Sequence, residues 1–245
     1  MLTHHKLKVY EKALALGSCA EDLSVSCCRR HAIVDHFRRA SESIVLNLAE
    51  GARLASGPDK ARALDYALGS SLECAACLDI AQIKGCLSPE RLRTEKERLL
   101  EITRMLVGLR KAWLQLTLHE EPNPYGADPC RSDLRVLFHH ESLDVYQVAL
   151  EFMRWFVGLP GAKQLSDRHC REIDHSATSL VLNIAEGNGR YSELDHRRFL
   201  EIAASSAVKA SAYLDLYQQK LLSADLRTDQ GRELLSRTVA MLHRF

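Results

Sequence analysis

Proline and glycine are scarce, at 6 and 12 in 245 residues, too few for a collagen-like or loop-rich chain. Aromatic residues make up 6 %. That is thin for an all-β protein, whose strands draw on Tyr, Phe and Trp. Charge of either sign is balanced, 33 Lys+Arg against 32 Asp+Glu for a net +1, which excludes a strongly basic polyanion binder and an acidic tail protein. No apolar run approaches the roughly 18 residues of a membrane span. The start, Met1 to Tyr10, has neither an apolar signal core nor a small-residue cleavage site, so a cytoplasmic protein without membrane contact is expected. Walker loops, dinucleotide fingerprints, Gly-x-Ser-x-Gly and His-Glu-x-x-His are all missing. Neither an enzyme nor a cofactor is expected.

The eight cysteines are too dilute for a secreted disulfide framework and read as buried, reduced thiols. Cys74-x-x-Cys77 has no second pair at suitable spacing, whereas a structural zinc site takes four ligands. Glu172-x-x-His175 and Glu193-x-x-His196 have the spacing of di-iron bundle ligands, but such a site also needs single glutamates from two further helices. The first half of the chain has neither pair. No metal is expected.

What the chain does have is helix-forming composition, 46 % hydrophobic residues, and one unit written twice. Leu7, Val9, Tyr10, Ala13 and Leu14 recur as Leu143, Val145, Tyr146, Ala149 and Leu150. Ser43-Ile-Val-Leu-Asn47-Leu-Ala-Glu50-Gly51 recurs as Ser179-Leu-Val-Leu-Asn183-Ile-Ala-Glu186-Gly187. The register then runs without a gap to Lys84 over Lys220, with roughly one position in three identical. Three prolines and a glycine follow His119, which marks a linker. The division is residues 1–118, a linker at 119–137, and residues 138–245. The halves differ in charge: net +4 for 1–118 and net −3 for 119–245.

Each copy reads as four helices. In the first copy they run from about Leu7 to Leu23, Arg29 to Arg53, Pro58 to Lys84 and Pro89 to Leu116, with Leu7, Tyr10 and Leu14 on one face of the first. Gly51 and Gly57-Pro58 are expected to close the second helix. In the second copy Pro160-Gly161 ends the first helix, Ser166 caps the second, Gly187 and Gly189 end it, Ser192 caps the third, and Asp225 or Thr228 opens the fourth. Short connections favour antiparallel neighbours. The fold class expected is all-α, two tandem antiparallel up-down four-helix bundles. The third helices are rich in Gly, Ala, Ser and Cys, which lets helix axes approach closely.

Ser43, Asn47 and Glu50, and likewise Ser179, Asn183 and Glu186, form a polar stripe at i, i+4, i+7 on an otherwise apolar helix. A helix apolar on nearly every side is buried on more than one side. The stripe, with Gly51 and Gly187, therefore reads as an interface motif whose buried Asn and Glu need partners, since an unpaired polar group costs roughly 1–3 kcal/mol. Basic side chains that qualify as nucleic-acid contacts are Arg38, Arg39, Lys60 and Arg62 in the first copy, beside Arg29 and Arg30, and Arg190, Arg197 and Arg198 in the second. Arg38 and Arg39 become Asp174 and His175 in the second copy.

Leu7-x-Val9-Tyr10-x-x-Ala13-Leu14 followed by the Asn47-Leu-Ala-Glu50-Gly51 element resembles the four-helix-bundle family first noted in intervening sequences of bacterial large-subunit ribosomal RNA genes. That family includes the accessory variability determinant of diversity-generating retroelements. Asn183-Ile-Ala-Glu186-Gly187-Asn-Gly189-Arg190 and Phe199-Leu200 are similar to its Asn-Ile-Ala-Glu-Gly-x-Gly-Arg and following Phe-Leu. The resemblance implies four-helix bundles that assemble into a ring, usually of five. For the retroelement accessory it implies a basic surface that binds nucleic acid and a reverse transcriptase. This chain departs from the pattern in being doubled and near neutral; ten bundles, another symmetry or a closed pseudo-dimer all fit. The functional expectation is a non-catalytic scaffold that self-associates and serves a nucleic-acid-handling partner such as a reverse transcriptase. The alternative is an accessory that binds RNA or DNA directly.

Overall fold

The computed structural model describes residues 2–26, 32–115, 138–159, 162, 165, 167–221 and 228–244. The linker at 119–137, Cys27, Cys28, Arg29, Arg30, Leu116, Pro160, Gly161, Ser166 and Asp225 lie outside the described residues. Among the described residues the chain forms eight α-helices, two short 3₁₀ turns and no strand. The first bundle comprises α1 (Lys8–Ser26), α2 (Ile33–Arg53), α3 (Gly57–Ile83) and α4 (Pro89–Gln115); the second comprises α5 (Asp144–Val157), α6 (Arg168–Asn188), α7 (Glu193–Leu221) and α8 (Asp229–Leu242). Within each set, helices adjacent in sequence pack together and the first packs on the fourth. The protein is two tandem four-helix bundles. No helix among the described residues is long and apolar enough to cross a membrane.

Helical periodicity sets which side of each helix turns inward. On α2 the buried positions Val34, Phe37, Ser41, Ile44 and Leu48 follow the expected spacing. On α1 the inward stripe is Val9, Ala13, Leu16, Ala20 and Leu23, and Leu14 is exposed. The expected Leu7–Tyr10–Leu14 face is thus corrected: Leu14 follows Ala13 directly, and one residue turns the side chain about 100° around the axis. On α4, Leu99, Ile102 and Leu106 are buried, while Leu92, Leu109 and Trp113 pack at the edge of the core.

Two glycines have a different role from the one expected. Gly51 and Gly187 lie inside α2 and α6 and are buried. A Cβ on Gly51 would sit 2.9 Å from the Trp113 ring, and one on Gly187 would sit 2.9 Å from the Phe199 Cβ. Gly51 is a site of close approach of α2 to α4 and α3, and Gly187 of α6 to α7, and each helix continues past its glycine. Gly189 does occupy the C-cap of α6. The α6 N-terminus is capped by Asp167, whose Oδ1 accepts the His169 N–H at 2.7 Å. Ser192 accepts the Asp195 N–H at 3.4 Å at the start of α7, and Thr228 occupies the N-cap position of α8.

The helix α3 packs against α2, α4 and α6, whereas its counterpart α7 packs against α6 and α8. The buried apolar cluster consequently runs without a break from one bundle into the other. Gly187→Val is expected to destabilise the protein by about 1–3 kcal/mol, because two backbone-anchored carbons must separate. Gly17→Ala and Gly108→Ala, with nothing within 4 Å of the added carbon, are expected to stabilise their helices by about 0.5–1 kcal/mol. Urea unfolding of the three variants reads both directions.

Candidate functional site: the seam between the bundles

The bundles meet where α3 crosses α6. They come close at Gly69 and Gly189: a Cβ on Gly189 would lie 2.9 Å from the Gly69 Cα and 2.9 Å from Leu72 Cδ1. A Cβ on Gly69 would lie 3.0 Å from the Arg190 guanidinium. That guanidinium, on a side chain only 8 % exposed, pairs with Glu186. It also lies 4.9 Å from the Tyr66 ring centroid and 4.8 Å from that of Phe199, a cation–π arrangement that links α3 to the second bundle. Only residues without side chains leave room for a flat cation at this crossing.

Three polar clamps flank the crossing. Lys84 Nζ reaches Asp174 at 2.7 Å, and both side chains are almost fully buried. Lys96 Nζ donates to Asp79 at 2.6 Å and also pairs with Glu141, while the Tyr146 hydroxyl donates to the other Asp79 oxygen at 2.8 Å. Arg110 pairs with Asp65 and lies 3.7 Å from the ring centroid of Tyr191. Burial raises the Asp65 carboxyl above its ordinary range, and Arg110 acts against that rise. Each clamp joins a residue of the first copy to one of the second. None of Asp79, Lys84, Lys96, Tyr146 and Asp174 stands out as a site in the sequence. The recurrence of Asp79 as Asp215, of Lys84 as Lys220 and of Tyr146 as Tyr10 is a signal that could have marked them.

Beside the crossing opens a cleft of about 550 Å³, lined by α2, α3 and α6. It gathers Ser43, Asn47 and Glu50 with Ser179, Asn183 and Glu186, so residues 136 positions apart share one concavity. Ser43 and Ser70 share a hydrogen bond at 2.8 Å, and the Asn47 amide donates to the Ser43 carbonyl at 2.8 Å and hydroxyl at 3.1 Å. Ser179 and Ser206 repeat this at 2.9 Å, and Asn183 donates to Ser179 at 2.7 and 3.2 Å. The Ser–Asn pair therefore ties the second helix of each bundle to the third.

The two glutamates differ. Glu50 is exposed. Glu186 is held above the ordinary carboxyl range by burial first and by the Glu73 carboxylate second, with Arg190 acting in the opposite sense. Across the cleft His36 lies 3.7 Å from Glu73.

The basic residues do not gather into one patch. Arg38 faces Glu21 at 3.5 Å, and Arg39 faces Asp35 at 3.1 Å while lining the cleft. Lys60 sits 5.6 Å from the Trp113 ring. Arg62, Arg197 and Arg198 are exposed, Arg197 with Glu201 at 3.7 Å. Arg190 is not on the surface, because the seam encloses it. His196 Nδ1 donates to the Gly187 carbonyl at 2.8 Å. No three His, Cys, Asp or Glu among the described residues come together in a way that could hold a metal ion. Cys19, Cys74, Cys77 and Cys170 are buried thiols that form no disulfide. Burial pushes Cys19 up to about 12 and raises Cys74 and Cys77 well above the ordinary thiol range. Cys86 departs from the expected reduced set, being disulfide-bonded.

Comparison with known proteins returns one family twice: the model for the 23S rRNA-intervening sequence protein matches residues 5–108 and again residues 141–244. No curated protein and no solved structure matches the chain.

Lys84→Met leaves the Asp174 carboxylate buried and unpaired, and is expected to cost roughly 3–5 kcal/mol in urea unfolding. Pairing it with Asp174→Leu is expected to recover most of that loss. His140 supplies a pH test. It is fully buried against Tyr146, ring centroids 4.7 Å apart, and neither ring nitrogen has a hydrogen-bond partner. Burial, then Lys96, then His139 hold it well below its ordinary value. As pH falls through about 6.5, the unfolded chain takes up a proton that the folded chain refuses. Stability then drops by up to about 1.4 kcal/mol per pH unit. His140→Phe is expected to flatten the stability curve between pH 7 and 5.5.

Proposed function

The chain belongs to the 23S rRNA-intervening sequence protein family, and from that premise we propose that it is a non-catalytic helical scaffold serving a nucleic-acid-handling partner such as a reverse transcriptase. The observation that carries this reading is the seam itself: clamps, close-approach glycines and an enclosed arginine join two bundles into one body. The motif residues support the same reading. Ser43, Ser70, Ser179 and Ser206 bond with one another and with Asn47 and Asn183. In that arrangement no cleft serine donates to a base that would activate it as a nucleophile.

A second reading, direct contact with RNA or DNA, is favoured by one observation. Arg62 on α3 and Arg197 and Arg198 at the start of α7 are all exposed. Exposed arginines of this kind are enough for a few phosphate contacts, with strong salt dependence. Fluorescence anisotropy with short RNA and DNA strands at low salt decides between the readings. The scaffold reading expects no binding by the chain alone. Binding that weakens steeply with salt and is lost in an Arg62→Glu, Arg197→Glu, Arg198→Glu variant would replace it with the second.

A further inference from the structure

The Ser–Asn part of the cleft is explained by the fold, because it repeats in both bundles: Ser70 bonds to Ser43 as Ser206 does to Ser179. Two other cleft residues do not repeat. Where α3 carries Tyr66 and Glu73, the matched positions of α7 hold Ile202 and Lys209, both exposed. The second bundle packs as the first does with a lysine in that place, so the bundle by itself does not call for Glu73. Nor does the seam. Glu73 on α3 and Glu186 on α6 act on each other with like charge across it, which opposes the joining of the two halves.

The charges of the cleft do not cancel. Arg190 answers Glu186, and Arg39 at the rim is held by Asp35 at 3.1 Å. The Glu73 side chain is only 20 % exposed, yet it accepts no hydrogen bond among the described residues, and its ion-pair neighbour is His36 at 3.7 Å. The exposed Glu50 carboxylate has no ion-pair partner among the described residues. Asn47 and Asn183 commit their amide nitrogens to Ser43 and Ser179, which leaves their carbonyl oxygens as acceptors. The cleft therefore offers negative charge and hydrogen-bond acceptors, with the half-exposed Tyr66 ring and the Leu182 side chain as apolar lining. Its volume of about 550 Å³ is that of a small-molecule site.

We infer that this cleft binds a linear aliphatic polyamine, its ammonium groups among Glu73, Glu186 and Glu50 and its methylenes against Tyr66 and Leu182. Ammonium groups bring the several N–H donors that carboxylates and amide oxygens accept. A single metal ion does not fit, because no three His, Cys, Asp or Glu among the described residues converge to hold one. An extended cation matches carboxylates that are spread along the cleft. It removes the repulsion between Glu73 and Glu186, and it ties α3 of the first copy to α6 of the second. The ligand goes beyond the scaffold reading and does not depend on it.

Isothermal titration calorimetry of the full chain with spermidine tests this, with magnesium chloride at matched ionic strength as the control for plain screening. Wild type is expected to bind spermidine saturably, one molecule per chain, and to melt at a higher temperature with it than with matched magnesium. Glu73→Gln, which keeps the size and removes the charge, is expected to weaken binding about tenfold or more. Glu73→Lys, which brings to α3 the residue type that α7 has at the matched position, is expected to abolish binding with helical content unchanged. Wild type without saturable binding overturns the proposal. So does unchanged affinity in folded Glu73→Gln, which places the polyamine elsewhere on the surface. So does magnesium that reproduces the heat and the melting shift, which means counterion screening only. Should Glu73→Lys fail to fold, Glu73→Gln decides alone. The scaffold reading is untouched by each of these outcomes, since it rests on the seam.

Discussion

Between Gly57 and Ile83 runs a helix in which 17 of 27 residues are buried, far more than one inward stripe requires. Its side chains are mostly Ala, Ser, Gly, Cys and Leu, so neighbouring axes come close on every side. Two sides are covered by α2 and α4, and α6 of the other copy covers a third. The need to cover α3 is what turns two bundles into one body. The glycine crossing, the enclosed Arg190 and the position of the cleft all follow from how close α6 must come.

The polar groups at the seam belong to the same constraint. A buried lysine or aspartate is tolerable only with a partner. Lys84 with Asp174, and Lys96 with Asp79 and Glu141, are placed so that each half supplies what the other lacks. Such pairs add little net stability over apolar residues of similar size. Their effect is on register, because a shift of α6 along α3 by one turn would separate every partner.

The repeated Ser–Asn–Glu element shows how one sequence motif acquires two environments. Its Ser and Asn make the same hydrogen bonds in both bundles, to within about 0.1 Å. Its glutamates do not match. Glu186 faces Glu73 and Arg190 under partial burial, and Glu50 faces solvent. The local helix decides the first pair of residues, and the neighbouring bundle decides the third.

By itself the sequence determined the helices and the duplication, because these depend on periodicity and on residues a few positions apart: Phe37, Ile44 and Leu48 on one face of α2, and Asn47-Leu-Ala-Glu50-Gly51 repeated as Asn183-Ile-Ala-Glu186-Gly187. It did not tell that Gly51 and Gly187 sit within helices against Trp113 and Phe199, or that Arg190 lies enclosed between Tyr66 and Phe199. Nor could it show that Leu46 and Leu182, matched in the repeat, differ wholly in exposure. Those outcomes depend on which face of one bundle meets which face of the other. Two copies of one pattern can pair in several ways, and only the packed structure selects one.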